Sequence, residues 1–375
     1  MTMTMRDRIL AVYRGETPDV VPYMLDLSHW FYHKNRMPWD LSVAYEKPEY
    51  ELIGYHHQVG AGFYVANLAA FYRVVYGPDV QAEVTKVHHD DGPEIVWRLT
   101  TPLGSIERRR KWEETSYSWG ITRWGVQNEQ DLRVLGYALA SRTYEPMWDR
   151  YQAWVDAVGD MGVVYMSAGY SAMGELLNYW MGITGVTYAT ADWPTTLREV
   201  VDQINENNLK RIDLLATSPA EIIIMGDNFS ADIQPPRFFR RWSGAYYAEA
   251  IRRLHAAGKY VAVHIDGRLR GAIGMIRDVD ADCGDAITPA PMGDLSPLEC
   301  RAEAGPDFIL SGGVPPNLWL PSVPREAFEK AVLDWLELKR YGPRFIANAG
   351  DQVPPHADEA RIELMRDLVE KYGRY

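Results

Sequence analysis

Apolar positions change rhythm along the chain. Residues 4–14 carry Ile9, Leu10 and Tyr13 at helical spacing, and "GETPD" ends that helix. "VVPYMLDL" (20–27) is an apolar run of strand length, residues 48–61 have a helical pattern, and residues 62–76 are apolar enough to hold another strand. Between 80 and 127, β-branched and polar residues alternate around the turn signals "DDG" and "TPLG". That pattern predicts a hairpin or meander, not a βα unit.

From about residue 129, short apolar runs alternate with amphipathic stretches. "NEQDLRVLGYAL", "EPMWDRYQAWVDAVGDMG" and "TLREVVDQINENNLKRIDLLATS" have helical spacing, and "PPRFFRRWSGAYYAEAIRRLHAAG" opens on proline and closes on glycine as a helix does. The strand-length runs are "VVYMSAG", "EIIIMGD", "YVAVHID", "AITPAP", "FILSGG" and "RFIANAG". Strands and helices alternating about every 30 residues predict βαβ units and a parallel sheet. Adding "VPYMLD" and one strand from 62–76 predicts an α/β fold, a (β/α)8 TIM barrel. It would be a single domain over 1–375, with residues 80–127 a β insertion in the N-terminal third. An open doubly wound sheet would need a Gly-rich dinucleotide turn after an early strand, and the sequence has none.

In such barrels the chemistry sits at the C-terminal strand ends. Here those ends carry Asp26, Ser167, Asp227 with Asn228, His264 with Asp266, Asp294, and Asn348 with Asp351. Asp is also a common helix cap, and Asp294 before a helix fits that role. His264 and Asp266 are two residues apart on one strand, so both project to one face, the barrel interior. A buried imidazole beside a carboxylate needs partners, since unpaired polar groups cost a few kcal/mol. His29 and His33, at i and i+4 after the first strand, are second candidates for binding substrate near the mouth.

Composition narrows the class. The net charge of −12 disfavours nucleic acid and anionic membrane as partners. No apolar run approaches the roughly 20 residues of a membrane helix, the N-terminal segment has no secretory pattern, and a cytoplasmic location is expected. Cys283 and Cys300 have no metal-binding spacing and make no disulfide framework. Thirteen Trp and 23 Tyr against 9 Phe are expected first as core and interface packing, with an aromatic-lined pocket or a homo-oligomer interface as the sharper alternative. "RRRKW" (108–112) is expected as a solvated strand face, or as a dock for an acidic carrier protein.

Several segments together resemble the uroporphyrinogen decarboxylase-like proteins: "RDRILAVYRGETPDVVPY", "GDNFS", "KYVAVHIDG", "PMGDL", "ILSGGVPP" and "FIANAGDQVPPHADEARI", in family order and spacing. The resemblance covers nearly the whole chain and implies a (β/α)8 barrel. The decarboxylases themselves carry a basic M-R-Q-A-G-R-Y stretch where this chain has "MLDLSHWFY" (24–32), without Arg. Asn67 is the nearest polar residue to their Asp near the second strand, and Asp351 stands for their late His.

The family's corrinoid-linked methyltransferases hold zinc with H-x-C and a distant Cys. His264, Asp266 and Asp351 stand at those positions. The resemblance therefore implies a divalent metal on these three, zinc first, with Mn²⁺ or Fe²⁺ also suited to one imidazole and two carboxylates. Without thiolates the metal is harder and polarises oxygen better. The implied function is demethylation of a small oxygenated substrate, such as a methoxylated aromatic, with a cobalt(I) corrinoid on a partner protein taking the methyl group. His264, Asp227 and Asp351 are the expected catalytic residues, Asp227 as a partner that orients His264. Substrate binding falls to His29, Trp30, Asn67, Tyr170, Trp180 and Asn228. The alternatives are a decarboxylase for a small or tetrapyrrole carboxylate, with His264 or Asp351 as proton donor, and a non-catalytic binding barrel.

Overall fold

A computed structural model of the chain describes residues 2–37 and 39–375. In chain order its strands are β1 (Phe63–Val65), β2 (Tyr72–Val75), β3 (Gln81–His89), β4 (Gly92–Thr101), β5 (Gly104–Glu113), β6 (Ser118–Arg123) and β7 (Thr143–Pro146). There follow β8 (Gly162–Ser167), β9 (Ile222–Phe229), β10 (Tyr260–Ile265), β11 (Cys283–Ile287), β12 (Ile309–Val314) and β13 (Phe345–Ala349). Seven strands form one sheet in the order β1-β8-β9-β10-β11-β12-β13, with every pairing parallel. From β8 onward each strand joins the next through helices, such as Pro194–Ala216 and Gly244–Ala256, as parallel pairing requires. The fold is α/β with a curled parallel sheet, compatible with a TIM-barrel-like architecture.

Residues 22–25 link the two edges of this sheet. Met24 N donates to Ala347 O and Ala347 N to Pro22 O on the β13 side; Gly62 N donates to Tyr23 O and Leu25 N to Gly62 O on the β1 side. The expected strand over 20–27 thus lies where the pattern put it but contracts to isolated bridges. Pro22 has no N–H to donate, which interrupts a longer ladder.

β3 to β6 form a separate four-stranded antiparallel meander, and β2 pairs antiparallel with β7. The short strand β7 was expected as the start of a helix, which instead begins at Trp148. Four residues whose partner lies some 70 positions away leave no local period to read. β11 is also displaced from the expected run at 286: it starts at Cys283 and ends at Ile287.

Alternation along the strands builds the site. One apolar cluster joins Ile222, Ile224, Ala262, Cys283, Ile309 and Ile346 to Ile9, Leu10, Val12 and Tyr13 of the helix Met5–Arg14. These strand residues share an inward face, and the helix packs against its N-terminal layer. Stepping two residues further along each strand gives Gly226, His264, Asp285, Ser311 and Asn348. The interior therefore changes from apolar to polar toward the C-terminal strand ends. The intervening residues, such as Ile223, Met225, Val261, Val263, Leu310 and Phe345, face out into the larger core under the helices. Among the described residues no helix is long and apolar enough to cross a membrane.

Candidate active site

A cavity of about 600 Å³ opens on this polar layer. Asp26, Asp266, Asp285, Asp351 and His264 line it, with Asn67, Ser167, Asn228 and Gln352 and an aromatic wall that includes Tyr64, Tyr165, Tyr170 and Tyr179. No Lys or Arg is found among the described residues of its lining.

His264 and Asp285 are register partners on the adjacent parallel strands β10 and β11. Their side chains therefore leave the sheet side by side, and His264 Nδ1 lies 3.2 Å from Asp285 Oδ2. Asp285 is 1% exposed, whereas the His264 side chain keeps 22% of its surface open. Ser311 Oγ donates to Asp285 Oδ1 at 3.3 Å, and Asn348 Nδ2 donates to Ser311 Oγ at 3.3 Å. This chain of hydrogen bonds crosses four strands and fixes the carboxylate that fixes the imidazole.

Burial opposes charge on His264. The hydrogen bond and charge of Asp285, with the charges of Asp351 and Asp266, outweigh it and push the imidazole up to about 9. Asp351 is pushed up to about 6, chiefly by burial and further by the like charge of Asp266, while the His264 cation pulls it down. Near neutral pH the site thus holds an imidazolium, with Nε2 unengaged among the described residues, facing carboxylates. Gly267, at φ 73°, turns the chain just after Asp266; a Cβ there would also lie 2.9 Å from Ser230 Oγ.

Asp26 completes the acidic wall. It is 6% exposed and accepts hydrogen bonds from Ser28 N at 3.0 Å, Ser28 Oγ at 2.6 Å, Asn67 Nδ2 at 2.6 Å and Gln352 Nε2 at 2.9 Å. All four donors are neutral groups.

Of the residues expected from sequence, His264, Asp266, Asp351, Asn67, Tyr170 and Asn228 converge on the cavity. Tyr170 Oη reaches Asn228 Oδ1 at 3.5 Å. Asp227 does not line it, and it is not the partner of His264. It accepts from Ser171 N at 2.7 Å and from Ser171 Oγ, at 1% exposure, packed so closely on Gly174 that a Cβ there would lie 2.2 Å from Oδ1. The cause is a bulge: Met225 and Phe229 pair with Val263 and Ile265, so four residues on β9 span two on β10, and Asn228 adopts φ 50°. Gly226 and Asn228 line the cavity, and Asp227 between them turns away.

Three further expectations are corrected. Trp30 is 2% exposed, donates from Nε1 to Ala357 O at 3.2 Å and packs on Tyr55, so it belongs to the core. His29 Nε2 lies 3.0 Å from Tyr117 O, away from the cavity lining. Trp180 lines a different cavity, against Arg108.

The metal triad is not assembled. Among the described residues no group of three or more His, Cys, Asp or Glu is arranged to hold an ion. His264 meets Asp285 through Nδ1, which leaves Nε2 as its free ring nitrogen. Asp285 is not among the expected residues, because the apolar run from Ala286 begins three residues after β11 itself; the alternation of "CGDAI" as a strand is the signal that finds it.

The family model described as uroporphyrinogen decarboxylase (URO-D) matches residues 164–372, more than half of the chain. No curated protein sequence matches it. Among solved structures, a methyltransferase from Methanosarcina mazei is similar over 99% of this chain and 99% of its own, with a TM-score of 0.63 at 14% identity. A likeness at that identity concerns the fold alone. D-psicose 3-epimerase from Clostridium cellulolyticum H10 is more distant: TM-score 0.36, 12% identity, 60% of this chain and 84% of its own.

Proposed function

The chain belongs to the uroporphyrinogen decarboxylase family, and from that premise we propose that it is an acid-assisted demethylase, a methyltransferase acting on a small neutral oxygenated substrate in a (β/α)8 barrel. The observation that carries this reading is the imidazolium of His264, held by Asp285 in a chamber with four carboxylates and no described Lys or Arg. Such a chamber repels a polycarboxylate such as a tetrapyrrole acid and suits an uncharged ether or alcohol. The fold likeness to a methyltransferase agrees with the reading.

In the reaction the methyl–oxygen bond breaks, and its electron pair stays on oxygen. His264 Nε2 donates its proton to that oxygen, so the leaving group departs as a neutral hydroxyl. An acid of pKa about 9 passes its proton readily to a strongly basic alkoxide. Asp285 holds the ring and balances its charge; Asp351 and Asp266 add to the field that keeps it protonated. A cobalt(I) corrinoid on a separate protein would supply the nucleophile that accepts the methyl group. Asn67, Asn228 and Tyr170, which also line the chamber, are the polar groups that would orient the substrate.

The test is to incubate the purified protein with neutral methyl ethers and free cob(I)alamin, and to follow methylcobalamin and hydroxyl product. Turnover is expected, falling roughly 10²–10⁴-fold in His264→Gln. Carbon dioxide release from a carboxylic substrate, with no methyl transfer, would contradict the reading.

A further inference from the structure

The basic run on β5 is unused by the reaction at His264, and its three arginines do different things. Arg109 points to the meander's charged face, with Glu107 at 2.7 Å and Glu94 at 3.2 Å. Arg108 and Arg110, on the opposite face of the strand, meet aromatic rings instead. The Arg108 guanidinium lies 4.4 Å from the ring centre of Trp97 and 4.8 Å from those of Tyr179 and Trp180. Arg110 lies 5.3 Å from Tyr179. Neither forms an ion pair among the described residues. Their hydrogen bonds to main-chain carbonyls are long: 3.5 Å to Tyr179 O for Arg108 and 3.3 Å to Asn178 O for Arg110.

A third arginine joins them. Arg211 is 5% exposed and donates to Tyr170 O at 2.8 Å, also with no carboxylate in ion-pair reach among the described residues. The Nε atoms of Arg108, Arg110 and Arg211 are all buried without a hydrogen-bond partner. A buried, unpaired donor on a charged group costs more than a neutral one, so three together are costly unless something answers them. Burial, and then the like charge of Arg110, push the Arg108 guanidinium down to about 10.

Arg108 and Arg211 line a second cavity of about 300 Å³. Four Arg and two Glu line it, and Arg142 takes up Glu175 at 3.0 Å, leaving an excess of positive charge in a protein whose net charge is −12. The rest of the wall is flat and apolar, with Trp97, Trp180, Tyr179 and Leu99. Gly169, Tyr170 and Tyr179 line this cavity and also the chamber of His264. Two adjoining cavities thus have opposite charge.

We propose that the second cavity is a binding site for a small organic anion, a carboxylate carried on a planar apolar body. The rings of Trp97, Tyr179 and Trp180 surround the Arg108 guanidinium, whose N–H groups suit paired N–H···O bonds to a carboxylate. The indole and phenol walls receive the body of the ligand. The site stands whether or not the reaction at His264 is methyl transfer, because it uses none of that site's charged groups.

The test is calorimetric binding of benzoate to the full chain at low salt, against the isosteric neutral benzamide. Benzoate is expected to bind saturably, and benzamide at least about tenfold more weakly. Arg108→Gln and Arg211→Gln are each expected to weaken benzoate roughly tenfold or more, and His264→Gln to leave it unchanged. Arg108 supports three rings, so if its variant misfolds, Arg211→Gln and the benzoate–benzamide comparison on the unaltered chain decide the matter. Absence of benzoate binding, equal binding of the two probes, or loss of benzoate binding in His264→Gln would overturn the proposal.

Discussion

Asp285 stands beside His264 on the neighbouring parallel strand, with its Oδ2 3.2 Å from the imidazole Nδ1. The relationship is set by backbone register, so it persists without substrate. It raises the pKa of a strand-end histidine to about 9 and so favours the protonated ring that the proposed reaction draws on.

Removing that carboxylate should cost stability in a pH-dependent way. The folded pKa of His264 is raised from 6.5 to about 9. The stabilisation from this pair is therefore full below pH 6.5 and lost as pH rises through about 9. Asp285→Asn should destabilise the protein by about 1–3 kcal/mol at pH 6, and clearly less at pH 10. Urea unfolding at the two pH values measures the difference; equal losses would remove the charge pair from the explanation.

The rate of demethylation should fall as pH rises through about 9, where His264 loses its proton. In Asp351→Asn that basic limb should move down, because a charge that raises the His264 pKa is gone. A pH–kcat profile of both proteins checks this, and an unmoved basic limb in the variant would refute the assignment.

Asp227 should matter to folding more than to chemistry. Its carboxylate answers the backbone and hydroxyl of Ser171 away from the cavity. Asp227→Ala should lower stability by about 1–3 kcal/mol while the folded fraction keeps kcat within a few-fold. Gly174→Ala, which sets a methyl against the same carboxylate, should cost a similar amount, about 1–3 kcal/mol, through overpacking. Thermal unfolding combined with active-fraction kinetics separates the two effects.

Much of this site was legible in the sequence, through one rule. Strand alternation put His264 and Asp266 on a single face, and the strand-end position brought Asp351 to them. The rule failed where the backbone departs from plain alternation. The bulge at Asn228 hid the outward turn of Asp227, and "CGD" resembles a turn until β11 is seen to start inside it. Trp30 and His29 lie on the helix Ser28–Asn35 and Trp180 on the π-helical turn Leu176–Trp180, where sequence position does not say which cavity a ring meets. The run at 108–112 resembled a solvated face because charge alone does not reveal which alternate residues a second layer covers. The metal expectation came from family positions, and the pairing of His264 with Asp285 depends on a neighbour 21 residues away that no local pattern shows.

The protonation of His264 is measured most directly by NMR titration of its ring nitrogens in the unaltered protein and in Asp285→Asn. The imidazole should stay doubly protonated up to about pH 9 in the first and titrate markedly lower in the second. A neutral His264 at pH 7 in the unaltered protein, or the same pKa in both, would contradict the role given to this pair.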